Sequence, residues 1–126
     1  MELTIEARGT RGEVDAGGVG LSYLESGEQG RPIVIVPGIT SPAMTWDFVA
    51  VPLATDHRVI ALDIRGRGLS DRPEEGYTLP IYAADVAAVI EALALEDCVI
   101  LGHSMGARIA AALGVLQPGA ASALIV

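Results

Sequence analysis

The sequence predicts an α/β fold in which an antiparallel hairpin precedes a mostly parallel sheet with helices on both faces. Continuous apolar runs at Pro32–Val36 and Arg58–Ile64 are typical of strands that are buried on both sides. The segment Leu79–Leu93, which follows them, has apolar residues at helical spacing. Strands and helices that alternate in this way form βαβ units, whose strands run parallel.

The hairpin is predicted from the first thirty residues, which glycines divide into short pieces. Val19–Glu25 has the composition of a strand, and a shorter strand is expected near Glu13–Asp15. These two strands, between glycines, are expected to form an antiparallel hairpin at the start of the chain.

The remaining elements continue the alternation. We expect helices at Thr45–Ala54 and Met105–Leu116 and strands at Cys98–Leu101 and Ala123–Val126, with Thr78 capping the helix over Leu79–Leu93. Ligands of such sheets bind where parallel strands end. The loops that follow these ends are Pro37–Thr40, Asp63–Ser70 and Gly102–Gly106.

The composition limits the class of protein. The chain has 126 residues, which we expect to form part of a single domain, and 51% of them are hydrophobic. No apolar run approaches the roughly 18 residues that a membrane span needs. Charged residues interrupt Met1–Arg11, which excludes a signal peptide there. A cytoplasmic protein without membrane association is therefore expected.

The charge and the single cysteine exclude further classes. The formal net charge of −8, from 8 basic and 16 acidic side chains, would repel a phosphate backbone, so no nucleic-acid partner is expected. Cys98 is the only cysteine, so an internal disulfide is impossible. It opens an apolar run, where we expect a buried and inert thiol.

The motif that indicates chemistry is Gly102-His103-Ser104-Met105-Gly106, between a predicted strand and a predicted helix. A nucleophilic serine in a Gly-x-Ser-x-Gly turn projects above the sheet on a strained backbone, and only glycine fits at the crowded flanking positions. The competing interpretation is an ordinary turn in which Ser104 caps the helix. The position at the third βα junction favours Ser104 as the nucleophile.

An oxyanion hole would require two backbone donors near this serine. One is expected to be the N–H of Met105, the residue after the nucleophile. The second should come from the loop after the first parallel strand, where Ile39 is preferred and Thr40 is the alternative. Gly38 would allow this loop to approach the serine closely.

Neither histidine of the chain is expected to be the base that such a serine needs. His103 adjoins Ser104, but adjacent side chains on a tight turn point apart, so it should pack beside the turn. His57 begins a strand at the opposite edge of the sheet.

Substrate contacts are predicted from the arginines near the catalytic edge. Arg65, Arg67 or Arg108 could bind a substrate carboxylate through two hydrogen bonds. Thr40, in the loop after the first parallel strand, is a further candidate for substrate binding. The favoured alternative is structural, with Asp63 and Arg65 bonded to backbone within their own loop. Trp46 and Phe48 are expected to pack along their helix, although either could line a pocket.

These motifs resemble the α/β-hydrolase family along the whole chain. The matching stretches are Val36–Ala43, Thr45–Trp46, Leu62–Ser70 and Gly102–Arg108. Most family members have His-Gly where this chain has Pro37-Gly38, and the Pro-Gly form resembles a deformylase subgroup of bacterial nicotinate breakdown. The resemblance implies a Ser–Asp–His triad, with the acid and the histidine after Val126, and a small anionic amide substrate. Dehalogenases and epoxide hydrolases of the family, which have Asp in place of Ser104, are disfavoured.

The leading interpretation is a serine hydrolase that cleaves an amide bond of a small carboxylate, without metal or cofactor. Ester hydrolysis, C–C bond hydrolysis, a non-catalytic ligand-binding module and an inactive truncated product remain alternatives. As an N-terminal fragment of such an enzyme, the 126-residue chain alone is expected to be inactive and prone to aggregation. The oligomeric state stays open.

Overall fold

The computed structural model describes residues 7–126, which form a six-stranded sheet flanked by helices. The segment Met1–Arg11, which is predicted not to be a signal peptide, lies partly outside the described residues. The strands are β1 (Thr10–Ala16), β2 (Val19–Ser26), β3 (Arg31–Val36), β4 (His57–Leu62), β5 (Val99–Gly102) and β6 (Ala123–Ile125). They lie in the order β1-β2-β4-β3-β5-β6. β1 pairs antiparallel with β2, and β2 pairs antiparallel with β4. The pairs β4–β3, β3–β5 and β5–β6 are parallel, which confirms the predicted hairpin and the mostly parallel sheet.

The helices cover both faces of the sheet, as predicted. They are a short 3-10 helix (Ala43–Trp46), α1 (Asp47–Leu53), α2 (Leu79–Ala92) and α3 (Met105–Leu116). Successive residues of a strand point to opposite faces. Val34 and Val36 of β3 therefore pack in the core with α2 and α3, whereas Ile33 and Ile35 pack in a second core with α1.

Two predicted details differ from the structure. The single helix expected over Thr45–Ala54 is a 3-10 turn followed by α1, because the backbone leaves the helical region at Trp46 (φ −94°, ψ 4°). Thr78 does lie at the N-cap of α2, but its side chain makes no capping hydrogen bond. A proline in the first turn, Pro80, presets a helical φ and needs no N–H partner, so α2 begins without that cap.

The strand order places the three candidate loops at one edge. β3 lies between β4 and β5 and runs parallel to both, so the loops after these strands leave the sheet side by side. The loop after β3 is flanked by the loop after β4 on one side and by the β5–α3 turn on the other. A ligand-binding crevice is expected at such an edge.

The surface retains apolar regions on α3 and on the edge strand. Val115 is 81% exposed, and Ile125 of β6 is 54% exposed. The aggregation expected of the 126-residue chain stays a prediction that these side chains support. Among residues 7–126, no helix combines the length and the apolar character that crossing a bilayer requires.

Candidate active site

Ser104 occupies a strained turn between β5 and α3. Its backbone has φ 58° and ψ −119°, a region that L residues rarely adopt. The residue lies at the N-cap position of α3, yet its side chain makes no capping hydrogen bond and it is exposed. The interpretation of Ser104 as a helix cap is therefore wrong. The hydroxyl stands at the edge of the sheet, at the N-terminal end of a helix.

Close packing explains the two glycines of the motif. A Cβ atom on Gly102 would overlap the carbonyl oxygen of Gly106, so the crowding predicted between the two positions is present. A Cβ on Gly106 would overlap the carbonyl oxygen of Val36 at the end of β3. The turn is thus held against two strands, and any larger side chain would push α3 away from the sheet.

The loop after β3 approaches Ser104 through Gly38. A Cβ built on Gly38 would lie 3.3 Å from the Cβ of Ser104. The loop then turns back, and the Ser41 N–H donates a hydrogen bond to the Gly38 carbonyl at 3.2 Å. The N–H of Ile39 takes no part in this bond. The close approach expected of Gly38 is present.

The N–H of Met105 belongs to the first residue of α3. The first N–H groups of an α-helix have no intrahelical partner, and the helix dipole adds a partial positive charge there. Ile39 and Met105 therefore supply candidate donors on either side of Ser104. Their role as an oxyanion hole stays a prediction, as does the alternative donor at Thr40.

Asp63 is a buried link between the candidate loops. Its side chain is 2% exposed, and its carboxylate accepts the Ala43 N–H at 2.7 Å and the Leu69 N–H at 3.1 Å. The Arg11 guanidinium approaches the same carboxylate at 3.3 Å. The structural interpretation of Asp63, as an acceptor of backbone N–H groups, is therefore correct.

Arg65 is paired with a carboxylate and is not a free anion-binding group at the edge where Ser104 lies. Its Nε and Nη2 donate to the two carboxylate oxygens of Asp85 on α2, at 2.6 and 2.7 Å, and both residues are buried. The hydrogen bond to Asp85 raises the pKa of Arg65 above its usual value. Because Asp85 fills the guanidinium fork, the prediction that Arg65 binds a substrate carboxylate is wrong for this structure. The alternative interpretation, a structural role for Arg65, is correct, but its partner is the Asp85 side chain and not a backbone group.

The other two candidate arginines, Arg67 and Arg108, are not paired with Asp85 and lie on different elements. Arg67 donates from Nε to the carbonyl oxygen of Ile39 at 2.6 Å, so it reaches the loop that approaches Ser104. Arg108 is exposed on the first turn of α3, where it lines an apolar groove together with Leu79 and Pro80 of α2. Substrate binding by Arg108 and Thr40 stays a prediction.

The histidines and aromatic residues agree with most of the predictions. The ring of His103 meets Trp46 edge to face with centroids 5.5 Å apart, which is packing beside the turn. His57 binds the Leu53 carbonyl and the Asp56 carboxylate at the opposite edge. Phe48 is the exception: it is 75% exposed and stacks on Trp46 from outside, so it does not pack in the core.

Asp85 is the structurally important polar residue that sequence reasoning did not identify. It lies on the buried face of α2 among Tyr82, Val86 and Val89. A carboxylate within an apolar helical stripe requires a buried cationic partner. That position in the stripe was the available signal, but the sequence offered several arginines as partners.

Comparison with known proteins identifies the family. The family model described as the alpha/beta hydrolase fold matches residues 31–126. The chain belongs to this family.

Two curated relatives and one solved structure are similar to this chain. N-formylmaleamate deformylase from Pseudomonas putida is 48% identical over 100 residues, which are 79% of this chain and 37% of that protein. A 2-(acetamidomethylene)succinate hydrolase from Mesorhizobium japonicum is 40% identical over 75% of this chain and 34% of its own length. A crystal structure of an N-formylmaleamic acid deformylase variant from Pseudomonas putida superposes with a TM-score of 0.84 at 40% identity, covering 91% of this chain and 45% of that one.

The chain therefore spans between a third and a half of the length of these relatives. Other curated relatives bear the names epoxide hydrolase and non-heme chloroperoxidase. These relatives share the fold, and hydrolase names occur among them, as in the 2-(acetamidomethylene)succinate hydrolase and the epoxide hydrolase.

Proposed function

We propose that the protein containing this chain hydrolyses an amide bond of a small anionic substrate through Ser104. The observation that supports this most directly is the positive φ of Ser104, which holds an uncapped hydroxyl above the sheet edge. Backbone strain of this kind is retained where the surrounding structure enforces it, and it clusters at catalytic positions.

The reaction proceeds by acyl transfer. The Ser104 oxygen attacks the carbonyl carbon of the substrate while its proton passes to a histidine base. The N–H groups of Ile39 and Met105 donate hydrogen bonds to the oxyanion as charge develops there. The C–N bond then breaks, and the nitrogen leaving group departs with the proton from the histidine. Water hydrolyses the ester on Ser104, which releases the carboxylic acid and restores the serine hydroxyl.

The base and its carboxylate partner come from outside residues 1–126, as the family resemblance implies. Neither histidine of the chain is the base in this proposal, because the ring of His103 packs against Trp46 and His57 begins β4, at the opposite end of the parallel strands. The isolated 126-residue chain would then bind and orient a substrate carbonyl without activating the serine.

The proposed substrate class is supported by two relatives, whose names denote removal of a formyl group and hydrolysis of an acetamido compound. We propose an N-acyl amide of a small dicarboxylate, with N-formylmaleamate as the first compound to test. Hydrolysis would release formate from this substrate. The step belongs to nicotinate degradation, and no metal or cofactor takes part.

The test uses the protein expressed from the complete reading frame that encodes this chain, called the whole protein below. A fluorophosphonate is added, and the labelled peptide is identified by mass spectrometry. We expect the adduct on Ser104 and its complete loss in Ser104→Ala. Ser122→Ala, which changes an exposed serine far from the turn, is the matched control and should label normally.

Formate release from N-formylmaleamate is then measured alongside ester and C–C bond substrates. Labelling at another residue, or none, would refute the nucleophile. Labelling at Ser104 with turnover of esters only would retain the nucleophile and replace the proposed amide substrate.

A further inference from the structure

Arg67 connects the loop after β4 to the turn that carries the candidate oxyanion donors. Its Nε donates to the Ile39 carbonyl at 2.6 Å, and its Nη1 donates to the Gly66 carbonyl at 3.2 Å. Its own backbone N–H donates to the Ile64 carbonyl at 2.9 Å. The side chain is therefore held at its base and at its tip, and it spans 28 residues of sequence.

The guanidinium charge is directed at carbonyl groups. Within residues 7–126 the ion pairs include no carboxylate partner for Arg67, unlike Arg65, which Asp85 neutralises. A charged donor makes a shorter and stronger hydrogen bond to a carbonyl than a neutral donor does. The bond to Ile39 therefore restrains the exposed tip of the loop, Ile39–Thr40, which lies between the buried Gly38 and Ala43.

We propose that Arg67 is a positioning residue that aims the backbone donors of the oxyanion hole, an inference that rests on the proposed function. Its bond fixes the carbonyl of Ile39, while the Ser41 N–H closes the turn on the Gly38 carbonyl. Together these two bonds restrict the dihedral angles of Ile39.

The same bond also orients the other candidate donor. The Ile39 carbonyl and the Thr40 N–H belong to one peptide unit, and a planar trans peptide directs them oppositely. A hydrogen bond on the carbonyl also polarises the N–H of that unit. Arg67 therefore acts on whichever of the two donors receives the oxyanion.

Asp63 holds the far end of this loop, through the Ala43 N–H. The two residues differ in burial and in partners. Asp63 is buried and links several elements, whereas the half-buried Arg67 side chain donates to the carbonyls of Ile39 and Gly66. Loss of Arg67 should therefore disturb the donors with little effect on folding.

The experiment compares Arg67→Met with Arg72→Met in the whole protein. Arg72 is the matched control, since it lies in the same loop and donates to the Gly68 carbonyl at 3.2 Å without reaching the Ile39 turn. Four quantities are measured: the rate of phosphonylation by an uncharged fluorophosphonate, kcat and KM for the amide, and the melting temperature.

We expect Arg67→Met to lower both the phosphonylation rate and kcat by about 10- to 100-fold, because misplaced donors fail to meet the oxyanion. KM and the melting temperature should stay close to those of Arg72→Met. Arg67→Lys, which retains a cationic donor, should recover part of the rate.

The uncharged reagent separates positioning from substrate binding. If Arg67 bound a substrate carboxylate, Arg67→Met would raise KM and leave phosphonylation unchanged, and the inference would be overturned. Equal phosphonylation rates for the Arg67→Met and Arg72→Met proteins would overturn it as well, with Ser104 labelling intact. Absence of labelling in the unsubstituted protein would instead reject the proposed function and, with it, this inference.

Discussion

Arg65 and Asp85 form a two-point ion pair between the loop after β4 and the buried face of α2, with N–O distances of 2.6 and 2.7 Å. Their side chains are only 9% and 7% exposed. The pair therefore fixes the loop that contains Arg67 against the helix layer. It removes Arg65 from substrate binding and gives it a structural role.

Arg65→Met should destabilise the whole protein by about 3–5 kcal/mol, because the substitution leaves the Asp85 carboxylate buried without a partner. The free energy of unfolding is measured by urea denaturation. Glu25→Gln, which breaks the more accessible ion pair with Arg58, is the control and should cost at most about 1 kcal/mol. The double substitution Arg65→Met with Asp85→Leu should recover most of the loss. Equal effects of Arg65→Met and Glu25→Gln would contradict this role.

Ser104→Gly should be more stable than Ser104→Ala by about 1 kcal/mol. Relief of the positive φ is worth about 1–3 kcal/mol, and the greater freedom of glycine in the unfolded chain offsets about 0.5–1 kcal/mol. Both variants lack the hydroxyl, so the comparison isolates the backbone. At Ser122, where φ is not positive, glycine should be the less stable of the two. The melting temperatures of all four variants test the prediction, and the same order at both positions would disprove it.

Gly106→Ala should destabilise the protein by about 3 kcal/mol or more, because its Cβ would overlap the Val36 carbonyl. Displacement of α3 should also abolish fluorophosphonate labelling. Gly119→Ala is the control, since a Cβ there meets no atom within 4 Å, and its effect should stay within about 0.5 kcal/mol. A stable, normally labelled Gly106→Ala protein would show that the turn is not packed as described.

Cys98 should resist alkylation in the folded protein. The residue is 1% exposed, and burial raises the pKa of its thiol, so less of the reactive thiolate exists at any given pH than for an ordinary cysteine. The alkylation profile should therefore shift to higher pH. Intact-mass spectrometry with iodoacetamide at pH 8 should show slow modification of the native protein and rapid modification in denaturant. Equal rates in the two states would disprove the burial of this thiol.

The sequence by itself determined the order of strands and helices along the chain and the position of the Gly-x-Ser-x-Gly turn. These features depend on local patterns: continuous apolar runs, helical spacing, and glycines where a Cβ has no room. The prediction for α3 matches the observed bounds, Met105–Leu116, because a strained turn and a Pro-Gly pair delimit it. The strand bounds differ by up to three residues, where pairing with neighbours decides the ends.

Only the tertiary structure decided what each arginine of the loop after β4 does. Arg65 and Arg67 are two residues apart and look equivalent in the sequence, yet one pairs with Asp85 on α2 and the other with the carbonyl of Ile39. These partners lie 20 and 28 residues away, and the contacts depend on how the loop folds over the sheet edge. Local sequence patterns do not predict how this loop folds, because the partner of a long side chain depends on which groups lie near it in the tertiary structure.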